Sequence, residues 1–588
     1  MSNKKTIVFL LIILALAAFF RFWQLNQIPP GLYPDVAMNG TDAIDAMESG
    51  DYRMFYPDNN GREGFFMNLI ALNFKYFGVS ILNIKIVAAI FGWLTILGMF
   101  LLTRELFSRL KSLNKANLLA LLVAFFMAVS FWHVNFSRLG FRAIVLPFCL
   151  VWCFYFLFKA AAASMPDDNF GGHGEWHPNP NSQNTNDAKP RAAGRVFLTI
   201  TYWLLAGIFF GLGFHTYISF RVAPLILAPI FIFSLIAYWP RLKILVKERK
   251  ILGNVFKNFY FKDGWYGWDI FLFTAILVAL PLIFYFGQNP ADFMGRTGQV
   301  SVLSSANPLQ GLIASTIKTL GQFVAVGDFN WRHNIAGSPQ IFWPLIPFFI
   351  WGFLYSAWQI FRQKNYRADN FMGATIYWTL LIWWGVMLLP SILTNEGLPH
   401  ALRSIGSIPP AYIFTGLGAF MFIKFLHRLL QSPRLIVAAN ILIILSLAAL
   451  AGAEYWRYFI YWGQNETTRS AFTQLFVDEA NYLNSLPATT QKYVIVNAGG
   501  VPVPYPGGPP VSAQTIKFLT YDKSTIRYLV PVDSAASAAA PFFAFPDGPK
   551  VILPMNYDQQ IFEALEIEFS TGEIKNINNN FLVFEVNQ

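Results

Sequence analysis

The N-terminal stretch Lys4–Asp35, KKTIVFLLIILALAAFFRFWQLNQIPPGLYPD, contains the pattern that decides the fold. Two lysines precede an apolar run from Thr6 to Trp23, which is close to the roughly 20 residues that a helix needs to cross a bilayer. The run is long and no small-residue cleavage site follows it, so we expect an uncleaved spanning helix and not a signal peptide. The polar segment after Trp23 then begins a loop on the far side of the membrane.

The composition extends this interpretation to the whole chain. The 588 residues are 55% hydrophobic and only 13% charged, whereas soluble domains carry about 25% charged residues. We predict about eleven spans, at residues 6–23, 82–104, 118–136, 144–163, 196–214, 222–240, 267–286, 341–361, 371–393, 408–426 and 435–453. The sequence therefore predicts a mostly α, polytopic integral membrane protein.

The positive charge follows membrane topology. The formal net charge is +11, but most Lys and Arg residues lie in short loops between the apolar runs, as the positive-inside rule predicts. We therefore expect no nucleic-acid partner. With eleven spans, the basic clusters between the runs fall on one side, which predicts a cytoplasmic N-terminus and an extracytoplasmic C-terminus.

The pattern changes near residue 453, and we predict two domains. Residues 1–453 form a transmembrane domain, and residues 454–588 form a small extracytoplasmic α/β domain. An amphipathic helix and three strands are expected there, at Thr467–Leu486, Lys492–Asn497, Lys550–Leu553 and Phe581–Val586.

Two loops of the transmembrane domain stand out. The first outer loop, residues 24–81, is long and polar, and its apolar stretch Phe65–Phe77 is too short to span, so we predict an interfacial helix there. The loop 164–195 is rich in Pro, Asn, Gly and His, which predicts a disordered cytoplasmic linker.

Asp35 lies shortly after the first span, near the outer membrane surface. Two prolines and a glycine precede it and fix the chain. A carboxylate held in this way can act as a general base. It can equally be the N-cap of a helix that begins at Val36, and both interpretations stay open. Asp42, Asp45 and Glu48 follow at helical spacing and predict a solvated helix face.

Cationic residues recur in the outer loops. A single arginine there could simply snorkel to the surface, and Arg62 could pair with Glu63 or Asp58. The positive-inside rule should deplete arginines from the outer loops, yet nearly every outer loop has one. This indicates a cationic basin that would fit an anionic lipid head group or a lipid-linked phosphate. The candidate residues are Arg62, Glu63, Arg138, Arg142, His215, Tyr217, Arg221, Arg332, His333, His400 and Arg403.

The first outer loop and the second span also carry a family resemblance. The motifs Pro29–Asp35 (PPGLYPD), 59–66 (NNGREGFF) and Thr103–Leu106 (TREL) resemble the GT-C membrane glycosyltransferases, nearest to the family-39 protein O-mannosyltransferases and aminoarabinose transferases. The resemblance covers about residues 6–430. The family has an acidic pair in this loop. Asp35 matches its first member, but Val36 replaces the second, and Gly64-Phe65 replaces two prolines.

The resemblance implies an inverting hexosyl- or pentosyltransferase of the GT-C type. It would move a sugar from a polyprenyl-phosphate donor to a hydroxyl of a protein, lipid or glycan, on the outer face of a prokaryotic plasma membrane. Asp35 would be the general base, and the outer candidate residues would bind the donor phosphate and sugar. Membrane lipids are further partners. No cofactor is certain, and a divalent metal on Asp35, Glu63 or a histidine stays open.

Two other classes of protein share some of these features. A lipid or glycan transporter or flippase would also have many spans and buried charges, although it would more often show internal repeats. A non-catalytic membrane scaffold with an outer α/β domain is the second alternative, and dispersed arginines with a solvated Asp35 would favour it.

Overall fold

The computed structural model describes residues 3–108, 110, 112–164, 188–228, 230–232, 266–293, 301–304, 307–362, 368–499, 509–530 and 547–587. Of residues 188–195 and 368–374 it describes only the backbone. Within it, the chain forms two compact units. The first unit comprises residues 1–23 and 88–458, and the second comprises residues 24–87 and 459–588.

Helices dominate the described residues, as predicted. They are α1 (Asn3–Phe22), α2 (Pro34–Ser49), α3 (Phe65–Phe77), α4 (Ile81–Ser108), α5 (Leu113–Val129), α6 (Phe131–Arg138), α7 (Val145–Ala163), α8 (Ala188–Gly213), α9 (Tyr266–Gln288), α10 (Pro308–Gly321), α11 (Ile346–Arg362), α12 (Ala368–Val386), α13 (Leu389–Ile392), α14 (Ile408–Leu429), α15 (Pro433–Tyr455), α16 (Glu466–Ala471), α17 (Gln474–Ser485), α18 (Gln514–Leu519) and α19 (Gln559–Glu568). Two strands, β1 (Phe55–Tyr56) and β2 (Arg62–Glu63), follow α2, and five more, β3 (Gln491–Ile495), β4 (Ile526–Leu529), β5 (Lys550–Pro554), β6 (Gly572–Ile577) and β7 (Phe581–Val586), lie near the C-terminus.

The membrane character of the chain is confirmed. In the described part of the chain, nine helices are long and apolar enough to cross a bilayer, or ten if α5 and α6 form one bent span. They correspond to ten of the eleven predicted spans. The remaining prediction, residues 222–240, extends beyond the described residues, and its described part, residues 222–228 and 230–232, belongs to a shorter apolar helical stretch. The chain is therefore an integral, polytopic membrane protein.

Two details differ from the predicted pattern. The predicted span 118–136 bends by 56° between α5 and α6. Ser130 lies at this bend, where its Oγ accepts hydrogen bonds from the backbone of His133 and from the hydroxyl of Tyr412. The backbone of α8 begins at Ala188, inside the predicted disordered loop, whereas residues 165–187 of that loop lie outside the described residues.

Helices α11 and α14 approach closely through two glycines. A Cβ added at Gly352 would lie 1.8 Å from the carbonyl oxygen of Phe414, and one at Gly418 would lie 1.9 Å from that of Phe348. Any side chain at these positions would push the helices apart. Small residues at such contacts are the usual means by which membrane helices pack backbone to backbone.

The second unit contains the predicted α/β fold. Its sheet has the order β4-β3-β5-β7-β6, in which β4, β3 and β5 are parallel and β5, β7 and β6 are antiparallel. Successive side chains of a strand face opposite sides. Val494 therefore packs with Phe476 and Leu483 of α17, whereas Tyr493 packs with Phe562 of α19 on the other face.

The second unit also includes the first outer loop. Leu32 accepts hydrogen bonds through its carbonyl oxygen from the hydroxyls of Thr473 and Thr515, at 3.0 and 2.8 Å. Gly31 has a φ of +73°, and a Cβ there would lie 2.3 Å from the carbonyl oxygen of Phe472. The Pro-Pro-Gly segment thus packs against the C-terminal part of the chain. The predicted domain boundary at residue 453 stays a prediction.

The predicted secondary structure of this unit needs two comments. The apolar stretch Phe65–Phe77 forms α3 with the predicted bounds. The predicted helix Thr467–Leu486 is instead two helices, α16 and α17, because Thr473 between them has a φ of +51°. A helix cannot continue through a residue in the left-handed region.

Candidate functional site

Asp35 lies in the first turn of α2. Tyr33 occupies the N-cap, where its side chain makes no capping hydrogen bond to the helix, and Pro34 is the first helical residue, a position that proline favours. The interpretation of Asp35 as the N-cap is therefore wrong, although a carboxylate in the first turn still interacts favourably with the helix dipole. Val36, at the position of the second family acid, is buried with 1% of its surface exposed.

One face of α2 is polar and packs against the β1–β2 hairpin. Asp35, Asn39 and Asp42 lie four and three residues apart, which places them on the same helix face. The half-buried Asp35 accepts a hydrogen bond at Oδ1 from Nδ2 of Asn59, at 2.8 Å. The hairpin therefore holds the candidate base in place.

The hairpin turn also positions Arg62. Asn59, Asn60 and Gly61 have φ values of 52°, 64° and 84°, so the turn needs residues that tolerate the left-handed region. Arg62 and Glu63 follow in β2, and each has 2% of its surface exposed. The turn thus places both side chains inside the second unit.

Arg62 pairs with an acid that the sequence analysis placed on a solvated face. Its Nη1 donates to Oδ1 of Asn39 at 3.0 Å and lies 2.5 Å from Oδ2 of Asp42. Asp42 is buried, so its assignment to a solvated face was wrong, whereas Asp45 and Glu48 are exposed. The predicted partner Asp58 offers only its carbonyl oxygen, at 3.2 Å.

The Asp42–Arg62 pair determines what Arg62 can bind. Burial raises the pKa of the Asp42 carboxyl, and the neighbouring charge of Arg62 opposes that rise. Because Asp42 lies against the guanidinium, much of the Arg62 charge is already balanced within the protein. Nη2 of Arg62 is buried and has no hydrogen-bond partner among the described residues. It is therefore a donor for a further group.

Two arginines of the first unit are fully buried near the end of α1. Arg138 donates to the carbonyl oxygens of Phe20 and Trp23, at 3.0 and 2.8 Å, and so caps the end of this helix. Arg21 donates to the carbonyl oxygen of Ala128 and to Nδ1 of His133, at 2.9 and 2.7 Å. Both arginines thus stabilise helix ends.

Arg21 was missed by the sequence analysis. An arginine in the last turn of a span occupies the ordinary snorkelling position, so the sequence alone does not distinguish it. Its Nε has no hydrogen-bond partner, and no carboxylate pairs with it within the described part of the chain. A buried guanidinium of this kind leaves positive charge inside the membrane unit, where charged groups are usually functional.

A histidine cluster joins two loops of the first unit. His333 donates from Nδ1 to Oδ2 of Asp328 at 2.9 Å, and the same oxygen accepts from the backbone of Ala401 at 2.8 Å. The rings of His333 and His400 lie 4.9 Å apart, centroid to centroid. The structure thus brings together two residues that the sequence predicted, and it adds Asp328 as their partner.

Arg332 directly precedes His333 of this cluster in the chain. Its carbonyl oxygen accepts from Nδ2 of Asn135 at 2.9 Å, and its Nε donates to Oδ1 of Asn330 at 3.1 Å. These two hydrogen bonds therefore fix Arg332, whose guanidinium is half-buried.

This cluster has the donor set of a metal site. One ligand atom each from Asp328, His333 and His400 lies within 4.8 Å of the others. Two imidazoles and one carboxylate suit zinc and other divalent ions, and the backbone N–H of Ala401 would orient the carboxylate from behind. An ion would replace the His333–Asp328 hydrogen bond. Asp35 and Glu63 are not part of such a group among the described residues.

Arg142 and Arg403 each have a close partner in the first unit. The Arg142 guanidinium carbon lies 5.5 Å from the ring centroid of Tyr217, which is within cation–π range. Arg403 donates from Nη1 to the hydroxyl of Thr394 and to the carbonyl oxygen of Glu396, both at 2.8 Å. The structure thus brings Arg142 and Tyr217 together, whereas the cationic basin stays a prediction.

His215 and Arg221 are engaged with the protein itself. Nε2 of the buried His215 lies 2.9 Å from the carbonyl oxygen of Val278. Arg221 donates from Nη1 to the carbonyl oxygen of Phe293 at 2.5 Å. Their donor-binding roles stay predictions, as do those of the other candidate residues.

Comparison with known proteins places this geometry in a fold class. No protein-family model matches the sequence, and no curated protein matches it. The structure resembles ArnT from Cupriavidus metallidurans bound to undecaprenyl phosphate, with a TM-score of 0.53 and 11% identity over 100% of this chain and 98% of that chain. Apo ArnT from the same organism gives 0.51 and 12% over 99% and 98%.

A second similar structure is the oligosaccharyltransferase AglB from Archaeoglobus fulgidus, solved with an inhibitory peptide and a dolichol-phosphate. It has a TM-score of 0.44 and 17% identity over 84% of this chain. This chain spans 63% of the length of AglB. ArnT is a GT-C glycosyltransferase. The likeness to ArnT, which extends over nearly the full length of both chains, shows the GT-C fold and confirms the predicted fold class.

Proposed function

We propose that the protein is an inverting membrane glycosyltransferase with Asp35 as its general base. The observation that carries the proposal is the carboxylate of Asp35, which Asn59 holds at 2.8 Å in the first turn of α2. The fold supports the same class of activity, since the structural match to ArnT extends over nearly the full length of both chains.

The proposed chemistry requires one proton acceptor. The acceptor hydroxyl attacks the anomeric carbon, while Asp35 takes the hydroxyl proton and the bond from that carbon to the phosphate oxygen breaks. A general base of this kind contributes about 10²–10⁴-fold to the rate. Positive charge on the sugar ring and negative charge on the departing phosphate both increase in the transition state. A single displacement inverts the anomeric centre.

The departing phosphate requires preorganised positive charge. We assign this role to one or more of Arg62, Arg138, Arg332, His400 and Arg403. The other predicted contacts to phosphate or sugar are Glu63, Arg142, His215, Tyr217, Arg221 and His333. If an ion is bound, Asp328, His333 and His400 would hold it, and it would supply further electrostatic stabilisation of the phosphate.

The proposed donor is a polyprenyl-phosphate sugar, a lipid class supported by the undecaprenyl phosphate bound to ArnT. The acceptor is a hydroxyl of a protein, lipid or glycan. We place the reaction on the extracytoplasmic face of a prokaryotic plasma membrane, where the positive-inside rule puts the first outer loop.

Sugar transfer from polyprenyl-phosphate donors tests the role of Asp35. We would measure the release of polyprenyl phosphate from mannosyl, glucosyl, arabinosyl and aminoarabinosyl donors by the purified protein, with a solubilised membrane extract supplying the hydroxyl acceptor. Asp35→Asn should lower the rate of the active donor by roughly 10²-fold or more, because the amide cannot accept the proton.

Asp45→Asn is the matched control, since it makes the same change at an exposed position of the same helix. It should retain the wild-type rate. Undiminished transfer by Asp35→Asn would remove this residue from catalysis. Lipid movement across vesicles without sugar transfer from any of the four donors would favour the flippase alternative.

A further inference from the structure

The C-terminal domain contains a cavity of about 360 Å³. It lies beside α17, the loop after β5 and the β6–β7 hairpin, and the lining residues include Glu479, Asn556, Tyr557, Asn579 and Phe581. This volume is within the range of small-molecule sites, which begins at roughly 300 Å³. Neither the candidate base Asp35 nor any of the predicted donor-binding residues lines it.

The burial of the Glu479 carboxyl is the first observation that indicates a ligand in this cavity. Its side chain follows the buried face of α17, which otherwise carries Phe476, Ala480 and Leu483, so an apolar residue would be expected there. Glu479 has 1% of its surface exposed, and its Oε2 has no hydrogen-bond partner among the described residues. Buried polar atoms without a partner are rare and require an explanation.

The protonation state of Glu479 suits a neutral ligand. Burial, together with the nearby charge of Asp478, raises the pKa of its carboxyl well above the usual range. A protonated carboxyl both donates and accepts a hydrogen bond. It can therefore pair with a hydroxyl group, which does the same.

Aromatic rings form a second part of the wall. Tyr557 leaves 71% of its surface exposed, yet its ring stacks on Phe562 with the centroids 6.0 Å apart and an interplanar angle of 27°. Phe581 packs edge-on against Tyr482, at 5.9 Å. The Tyr557 ring is thus exposed, but its orientation is fixed by packing. It can therefore stack on a ligand with little loss of conformational entropy.

Asparagine side chains form the rest of the wall, and hydrogen bonds or a tight turn hold these residues in place. Asn556 exchanges hydrogen bonds with Asn497, at 2.9 Å through its own N–H and 2.8 Å through its carbonyl oxygen. Asn579 lies in the β6–β7 turn with a φ of +56°, and the side chain of Asn580 donates to Asp478 at 2.9 Å. Asparagine amides both donate and accept, so they too pair well with hydroxyl groups.

We propose that this cavity is a non-catalytic binding site for one pyranose ring of a neutral saccharide. A pyranose presents hydroxyl groups at its edge and C–H groups on its face. In the cavity, the amides and the carboxyl can pair with the hydroxyl groups, and the aromatic rings can pack against the C–H face. No Lys or Arg occurs among the described residues that line it, and two acids lie in or beside it, so an anion fits poorly. The proposal stands independently of the transferase activity.

Saturation-transfer NMR on the full-length protein tests the proposal. The protein would be held in a detergent without a sugar head group, because a maltoside would compete for the cavity. The probes are the methyl glycosides of glucose, galactose, mannose and N-acetylglucosamine, with the open-chain polyol sorbitol as a comparison. We expect saturable transfer to the ring protons of at least one glycoside and none to sorbitol.

Two variants assign the signal to this cavity. Tyr557→Ala should weaken binding at least tenfold and Glu479→Gln should weaken it measurably. Tyr76→Ala removes an equally exposed tyrosine, at 71%, from α3 and should leave binding unchanged. A thermal melt of each variant checks its fold. No saturable transfer from any glycoside, equal transfer from sorbitol, or identical binding by Tyr557→Ala and Tyr76→Ala would each overturn the proposal.

Discussion

At the scale of single residues, α2 shows what helical spacing reveals and what it conceals. Asp42, Asp45 and Glu48 are spaced as one acidic face, which favoured a solvated position. Asp35, Asn39 and Asp42 are spaced equally well, and this second face is the one that contacts Asn59 and Arg62. The position of the β1–β2 hairpin decides which of the two faces of α2 is buried, and the sequence of the helix does not predict that position.

Glu479 gives a residue-scale prediction about pH. An unfolded glutamate ionises at about 4.3, whereas burial raises its pKa well above that in the folded protein. The folded state therefore binds more protons between the two pKa values. The free energy of unfolding should fall by about 1.4 kcal/mol per pH unit as pH rises through this window.

Thermal unfolding of wild-type and Glu479→Gln protein, from about pH 5 to about pH 8, measures this effect. The variant has no titrating group at the position, so its midpoint should depend less on pH. Glu566→Gln, at an exposed position of α19, should behave as wild type. Parallel pH profiles for Glu479→Gln and wild type would contradict a buried, protonated Glu479.

At the scale of secondary structure, strongly patterned elements were predictable from the sequence. α3 and β7 have the predicted bounds, because long apolar runs and alternation depend little on the rest of the chain. β4 and β6 were missed because both are edge strands of the sheet and neither contains a fully buried residue. Neither carries the apolar alternation of a half-buried strand.

The contact between α11 and α14 gives a prediction for one element pair. Gly418→Leu should lower the midpoint of thermal unfolding and the yield of monodisperse protein, because a Cβ there would lie 1.9 Å from the carbonyl oxygen of Phe348. Overpacking of this kind costs about 1–3 kcal/mol or more. Size-exclusion chromatography after a temperature series measures both effects.

Gly452→Leu is the control for this substitution. Gly452 also lies in a spanning helix, α15, but a Cβ there would meet no atom within 4 Å in the described structure. It should leave the midpoint close to that of wild type. Equal losses from both variants would mean that glycine at position 418 matters for the helix itself and not for the contact.

At the scale of the whole molecule, orientation follows from charge and can be measured. The two cysteines, Cys149 and Cys153, are free and buried, so an introduced cysteine is the main target of a maleimide. In intact cells, a membrane-impermeant maleimide should label Ser485→Cys at the exposed end of α17. It should reach Lys115→Cys only after permeabilisation, because the positive-inside rule places Lys115 in the cytoplasm. The reverse pattern would place the proposed site on the wrong face.

The histidine cluster marks the limit of sequence analysis at this scale. His333 and His400 were both candidates, but Asp328 binds the backbone of Ala401 across 73 residues of chain. No local spacing relates these residues, so only the packing of two loops brings them together. The fold class depends on composition and was predictable, whereas the partners of each candidate residue depend on tertiary contacts.

The hydrogen bonds of Leu32 have a consequence for the time course of biosynthesis. Its two partners, Thr473 and Thr515, follow it by 441 and 483 residues. At about 5–20 residues per second, a ribosome needs on the order of a minute to make that interval. During that minute the segment leading to Asp35 has already been synthesised but lacks the contacts that fix it. A nascent or truncated chain would thus carry an unanchored carboxylate, and the assembly of this region would wait for the end of translation.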